Sequence, residues 1–116
     1  MSLLESLPQR LAGEVVFHSP VATYRGREDV AHLLSTIARV VDDVTPVRSV
    51  SHADLRVTFF TARVGEKEAD GVLAETLDGD AIVELRLMLR PLDALLAAVK
   101  RMGEELAASP LPSMRP

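Results

Sequence analysis

Residues 72–92 read VLAETLDGDAIVELRLMLRPL, and this stretch decides the fold. Asp78-Gly79 separates one apolar run, 72–77, from another, 81–89. An Asp-Gly pair in that setting is the strongest short-range signal for a β-hairpin, because both central residues of a type I′ turn need positive φ. In the second run Val83, Leu85, Leu87 and Leu89 share one face, while Glu84, Arg86, Met88 and Arg90 share the other, the pattern of a strand with one face turned towards a core. Pro91 then stands where a strand stops and a helix readily starts, since the first helical turn has no use for its missing N–H.

Upstream, residues 47–52 and 55–64 are further strand-like runs, with breaks around Asp54 and over 65–71, so a meander of hairpins is predicted. Residues 14–19 form another strand, closed by Pro20, and 22–26 an extended stretch and turn. Between these strands, Val30, Leu33, Leu34, Ile37, Val40, Val41 and Val44 fall on one face of a helix predicted over 28–44, with Pro46 beyond its end. Leu92, Leu95, Leu96, Val99, Met102 and Leu106 give a second stripe, on a helix reaching about Ala108. Ser2 and Glu5 have capping-box spacing, but Pro8 limits the N-terminal segment to a short or broken helix. Residues 1–108 therefore read as one domain, and 109–116, with three prolines and no periodicity, as a flexible tail.

The composition belongs to a globular chain: 116 residues, 47% hydrophobic and 26% charged. No apolar stretch reaches the length of a membrane span, and the N-terminus lacks the layout of a signal peptide, so a cytoplasmic protein is expected. Without cysteine there is no thiol nucleophile or thiolate metal site. Scattered basic residues and a net charge of −4 give no footprint for nucleic acid. The three histidines are not spaced as ligands, so no metal and no other cofactor is expected.

Strands joined mostly by short turns cannot build a parallel βαβ sheet. The predicted class is α+β, a strongly curved mixed or antiparallel sheet wrapped around amphipathic helices. Phe17-His18-Ser19-Pro20-Val21, the helix entry Tyr24-Arg25-Gly26-Arg27-Glu28 and the strand running into Arg90-Pro91-Leu92 carry a resemblance to the cone-shaped NTF2-like superfamily, in particular its SnoaL-like members, which include small polyketide-cyclase relatives. The resemblance covers the chain from about Glu14 to Leu106.

In the ketosteroid-isomerase branch, the resemblance places a general-base aspartate immediately before the proline. Ser19 stands there, and a serine hydroxyl is no base near neutral pH. The phenolic donor that such isomerases carry on the first helix also has no match, the sole tyrosine being Tyr24. The catalytic candidates are His18, Ser19, Tyr24 and Glu84. With Ser19 facing inward, strand alternation turns Phe17 towards the cavity and His18 to the convex face. His32 and His52 read as surface residues. Glu84 and Arg86 form either a pair for a polar ligand or charges on the solvent or dimer face. Glu68, Asp70 and Glu75 read as ordinary solvated carboxylates. Tyr24 with Arg25 and Arg27 is either a pocket rim or an exposed helix entry. The leading expectation is a cavity that holds a small apolar metabolite, lined by Phe17, Ser19, Leu33, Ile37, Phe59, Leu85 and Leu87, in a domain that forms a homodimer through its sheet. The alternative is a cofactor-free isomerase, cyclase or dehydratase acting on a hydrophobic carbonyl compound; a third class is a pure interaction module.

Overall fold

The computed structural model describes residues 3–115; Ser2, and with it the Ser2/Glu5 capping box, lies outside the described residues. After a 3-10 turn at Leu7–Arg10, the chain forms β1 (Leu11–His18), β2 (Thr23–Arg25), α1 (Arg27–Val40), β3 (Asp42–His52), β4 (Leu55–Val64), β5 (Lys67–Asp78), β6 (Ala81–Arg90) and α2 (Leu92–Ala108). The strands make one six-stranded sheet in the order β2-β1-β6-β5-β4-β3. Neighbours are antiparallel except β1 and β6, which run parallel. The long excursion through α1 and the meander is what permits that one parallel pair, since a hairpin cannot. The class expected from sequence, α+β with a mixed, curved sheet, is the one observed; the curved sheet stays open.

Alternation along the strands defines the two faces. Thr58, Phe60, Ala62 and Val64 of β4 are buried, as are Leu73 of β5, Leu85 and Leu87 of β6, and Val15 and Phe17 of β1. Against this inner face α1 lays Val30, Leu33, Leu34, Ile37 and Val40, all buried. Each such side chain contributes about 1.5–3 kcal/mol by leaving water. The N-terminal segment has no long helix, yet it is not loose: Leu4, Leu7 and Leu11 are all in the core.

Several boundaries differ from the sequence reading. The first helix stops at Val40 instead of Val44, and β3 starts at Asp42. Asp42 and Asp43 would place two carboxylates at the negative end of the helix dipole, and Asp43 takes a left-handed φ of 54° that breaks the helix. Val41 keeps its buried place by a different route, as the residue leading into a strand. Pro46 lies inside β3, tolerated because β3 is an edge strand with register breaks on both sides of it. β5 begins at Lys67 because the turn before it is only Gly65 and Glu66, with Gly65 at φ 61°. In the β5–β6 hairpin, Asp78 pairs with Ala81, so Gly79 and Asp80 are the central residues, and only Gly79 has positive φ. The turn sits where expected, but it meets the requirement of type II′ rather than I′. A register shift also separates the Leu77–Ile82 and Thr76–Glu84 pairs. Ile82 thereby becomes the fully buried residue, while Val83 is only half-buried.

The β3–β4 turn holds Ala53 at φ 53°, a conformation that strains an L-residue and that glycine adopts freely. Relief of that strain outweighs the extra chain entropy, so Ala53→Gly is expected to raise stability by about 0.5 kcal/mol, measured as the shift in a urea midpoint.

Glu75 is not a solvated carboxylate but is fully buried. It pairs with Leu85 on one side and Arg56 on the other, and paired residues of neighbouring strands share a face, so all three lie on the inner one. Arg56 donates from Nε and Nη2 to its two oxygens, both at 3.1 Å, and Arg10 Nη1 lies 2.9 Å from Oε1. One carboxylate therefore ties the N-terminal turn to the sheet. The hydrogen bond with Glu75 holds the Arg56 guanidinium above its ordinary range, against the opposing pull of its own burial.

Residues 109–115, expected as part of a mobile tail, lie against α1. His32 Nε2 lies 2.8 Å from the Ser109 carbonyl oxygen, and the backbone N–H and hydroxyl of Ser113 both donate to Asp29. Among the described residues no helix is long and apolar enough to cross a membrane.

Candidate functional site

The hollow between the inner face of the sheet and α2 holds a cavity of about 230 Å³. Phe60, Leu87 and Leu89 of the sheet form its floor, Leu33, Ile37 and Val40 of α1 form one wall, and Leu95, Ala98, Val99, Met102 and Leu106 of α2 form the roof. The β1–β2 connection, Ser19-Pro20-Val21, and Tyr24 complete the lining, and the exposure of Pro20 and Val21 opens a mouth there. The roof follows from the spacing of α2: Leu95, Val99, Met102 and Leu106 recur at helical intervals and face the sheet.

No charged side chain lines this space, and its side-chain polar groups are Ser19 and Tyr24. The Ser19 hydroxyl is already committed. It donates to the Ala22 carbonyl at 2.9 Å and accepts from the N–H groups of Val21 at 3.2 Å and Ala22 at 3.0 Å. With its proton and both lone pairs engaged, it holds the turn that shapes the mouth. The Tyr24 ring stacks on Phe17 with centroids 6.5 Å apart. Its hydroxyl makes no hydrogen bond among the described residues and is not closed off from solvent.

Of the residues expected to line a cavity, Ser19, Leu33, Ile37 and Leu87 come together there. Phe17 and Leu85 are completely buried beneath the floor and do not reach it. Phe59 is on the opposite face, 44% exposed, and Phe60 takes the inward place. Strand parity carried the signal: Phe59 shares its face with Thr61 and Arg63, whereas Phe60 shares its face with Ala62 and Val64. The α2 side chains and Leu89 were legible only as an apolar stripe and a strand residue, because nothing local tells which of several apolar surfaces borders a void.

His18 and Glu84 meet on the outer face. His18 Nε2 lies 3.1 Å from Glu84 Oε2, and Nδ1 lies 3.1 Å from the Thr23 hydroxyl. Glu84 pairs with Val16 next to the inward Phe17–Leu85 pair, so neither His18 nor Glu84 can reach a molecule in the cavity. Arg86 shares this outer face, beside His18. On the same face Val50 of β3, Leu55 and Phe59 of β4 and Met88 of β6 are exposed, between 42% and 53%. No group of three or more potential ligands for a metal ion occurs among the described residues.

A steroid delta-isomerase from Pseudomonas aeruginosa has the same fold at a TM-score of 0.83, with 36% sequence identity over 90% of this chain and 80% of its own. The chain belongs to the NTF2-like superfamily. An uncharacterised bacterial protein from Silicibacter pomeroyi with a cystatin-like fold matches at a TM-score of 0.85 and 28% identity, covering 90% and 77% of the two chains. A SnoaL-like polyketide-cyclase candidate from Jannaschia shares the fold at a TM-score of 0.67 and 12% identity, over 85% and 77%. No family model and no curated protein matches the sequence.

Proposed function

We propose that this NTF2-like domain binds a small apolar metabolite in the cavity beneath α2 and forms a homodimer through the outer face of its sheet. The observation that carries the first half is a hollow of about 230 Å³ bounded mainly by aliphatic side chains of α1, β6 and α2, with the rings of Tyr24 and Phe60. An apolar hollow with few polar groups is the usual form of a small-molecule site. Its wall has no carboxylate or imidazole that could move a proton near neutral pH, and its serine is held in a turn. These features favour holding a molecule over transforming it.

Native mass spectrometry of the purified protein is expected to show a bound small molecule. In Ile37→Trp, whose larger side chain enters the void, that added mass is expected to disappear while the circular dichroism spectrum stays the same. A ligand retained by Ile37→Trp would place it elsewhere.

The dimer reading rests on Val50, Leu55, Phe59 and Met88, exposed across the outer face that also carries Arg86 and the His18–Glu84 pair. A greasy patch with a charged rim is the pattern of a subunit contact. Light scattering is expected to give twice the chain mass for the unmodified protein and the single chain mass for the double variant Phe59→Arg, Met88→Arg. A monomer in both cases would remove the proposal.

The steroid delta-isomerase similarity favours a second reading, a cofactor-free isomerase, cyclase or dehydratase acting on a hydrophobic carbonyl compound. Tyr24 is the one lining side chain with a proton free to polarise a carbonyl. Turnover of a β,γ-unsaturated ketone, lost in Tyr24→Phe, would establish that reading in place of simple binding.

A further inference from the structure

Building on the cavity-binding reading, we infer that the ligand is a neutral, compact aliphatic molecule of about nine non-hydrogen atoms with a single oxygen, which the Tyr24 hydroxyl binds.

Three observations converge on that class. The first is charge. No lining residue carries one, so a carboxylate, phosphate or ammonium group beside Tyr24 would give up part of its hydration without gaining a counter-ion. Ionised metabolites are thereby disfavoured, whatever their hydrocarbon part.

The second is size. A dry aliphatic cavity of about 150 Å³ accommodates benzene, with about six non-hydrogen atoms. At the same packing, a cavity of about 230 Å³ accommodates about nine. A four-ring steroid, with about twenty, exceeds this by a factor of about two. The hollow in this chain, whose fold is that of a steroid delta-isomerase, is therefore suited to a much smaller molecule.

The third is polarity. Ser19 has no hydrogen-bonding capacity left, since Ala22 takes its proton and the Val21 and Ala22 N–H groups take its lone pairs. Tyr24 alone among the lining side chains has a hydroxyl with no protein partner among the described residues. That hydroxyl can donate one hydrogen bond to a carbonyl or ether oxygen, or exchange one with an alcohol. One polar group at the mouth and hydrocarbon everywhere else match a medium-chain alcohol or the corresponding ketone, aldehyde or lactone.

Isothermal titration with 1-octanol, sodium octanoate, octylamine, 1-dodecanol and progesterone tests this on the full chain at pH 7. Octanol is expected to bind at least tenfold more tightly than each of the others. Tyr24→Phe, which keeps the ring on Phe17, is expected to weaken octanol about tenfold while leaving n-nonane unchanged. Octanoate or progesterone binding as tightly as octanol, with that binding abolished by Ile37→Trp, would overturn this inference and leave the cavity reading intact. Unaltered octanol affinity in Tyr24→Phe would do the same to the role of the hydroxyl. Octanol binding that survives Ile37→Trp, or no binding by any of the five probes, would remove the cavity reading itself.

Discussion

Arg56→Ala is expected to lower the unfolding free energy by about 4 kcal/mol, and Glu75→Ala by only about 2 kcal/mol. The asymmetry comes from where each charge is left. Glu75 is fully buried, whereas the Arg56 and Arg10 side chains are 37% and 30% exposed. Removal of the carboxylate lets both guanidinium groups turn towards water. Removal of Arg56 takes away two of the three close contacts to a carboxylate that has no route to solvent, and breaking a buried pair in that direction is the costly case. Urea unfolding checks both values, provided that the slope is unchanged. Equal losses in the two variants would show that the pair behaves like an exposed one, which the burial of Glu75 argues against.

The same contact has a pH signature. The Arg56 titration is raised by its bond to Glu75. Stability gained this way is fully present below the ordinary guanidinium titration and is lost only as pH rises through the raised value. This group is therefore expected to add no slope to stability between about pH 5 and pH 9. A loss in that window that vanishes in Arg56→Ala would contradict the assignment.

Gly71→Ala is expected to cost about 3 kcal/mol and to close part of the cavity. Gly71 lies inside β5 opposite Phe60 of β4 and Leu89 of β6. A Cβ at this position would stand 2.5 Å from Phe60 Cζ and closer still to the Met88 carbonyl oxygen. The ring can swing away, but the carbonyl belongs to the neighbouring strand and cannot yield without disturbing the ladder. Displacement of Phe60 moves the floor of the cavity, so octanol binding is expected to weaken along with stability. Gly13→Ala, in β1, meets nothing within 4 Å and serves as the control, with a change near zero. A Gly71→Ala protein as stable as that control would mean that β5 and β6 are not packed this closely.

Much of this architecture was legible in advance because periodicity is a local property. The stripe Val30, Leu33, Leu34, Ile37, Val40 specified a helix without reference to any neighbour, and Leu85, Leu87, Leu89 specified a one-sided strand. The same periodicity overran at Val44, because Val41 and Val44 suit a helix face and a half-buried strand equally well. Only the backbone at Asp43, with its positive φ, separates the two. Glu75 was misjudged for a related reason: a carboxylate two residues from Leu73 and Leu77 has the parity of the core, but its burial depends on Arg10 and Arg56, which lie far away in the chain. At the site, the replacement of a base by Ser19 could be read directly, whereas the commitment of its hydroxyl to Ala22 and Val21 is a matter of turn geometry.

The sequence by itself determined the two helices, the course of most strands and the place of the tight turns, since these follow from side-chain spacing and from the φ that glycine and proline permit. The tertiary structure decided which apolar residues touch one another and which border empty space. Phe17 and Leu85 lie outside the cavity while Leu89 lines it, α2 forms its roof, and among the lining side chains Tyr24 brings the one uncommitted hydroxyl. Those outcomes depend on how far the sheet bends and on where a helix settles across it, and both are set by the summed packing of residues distant along the chain.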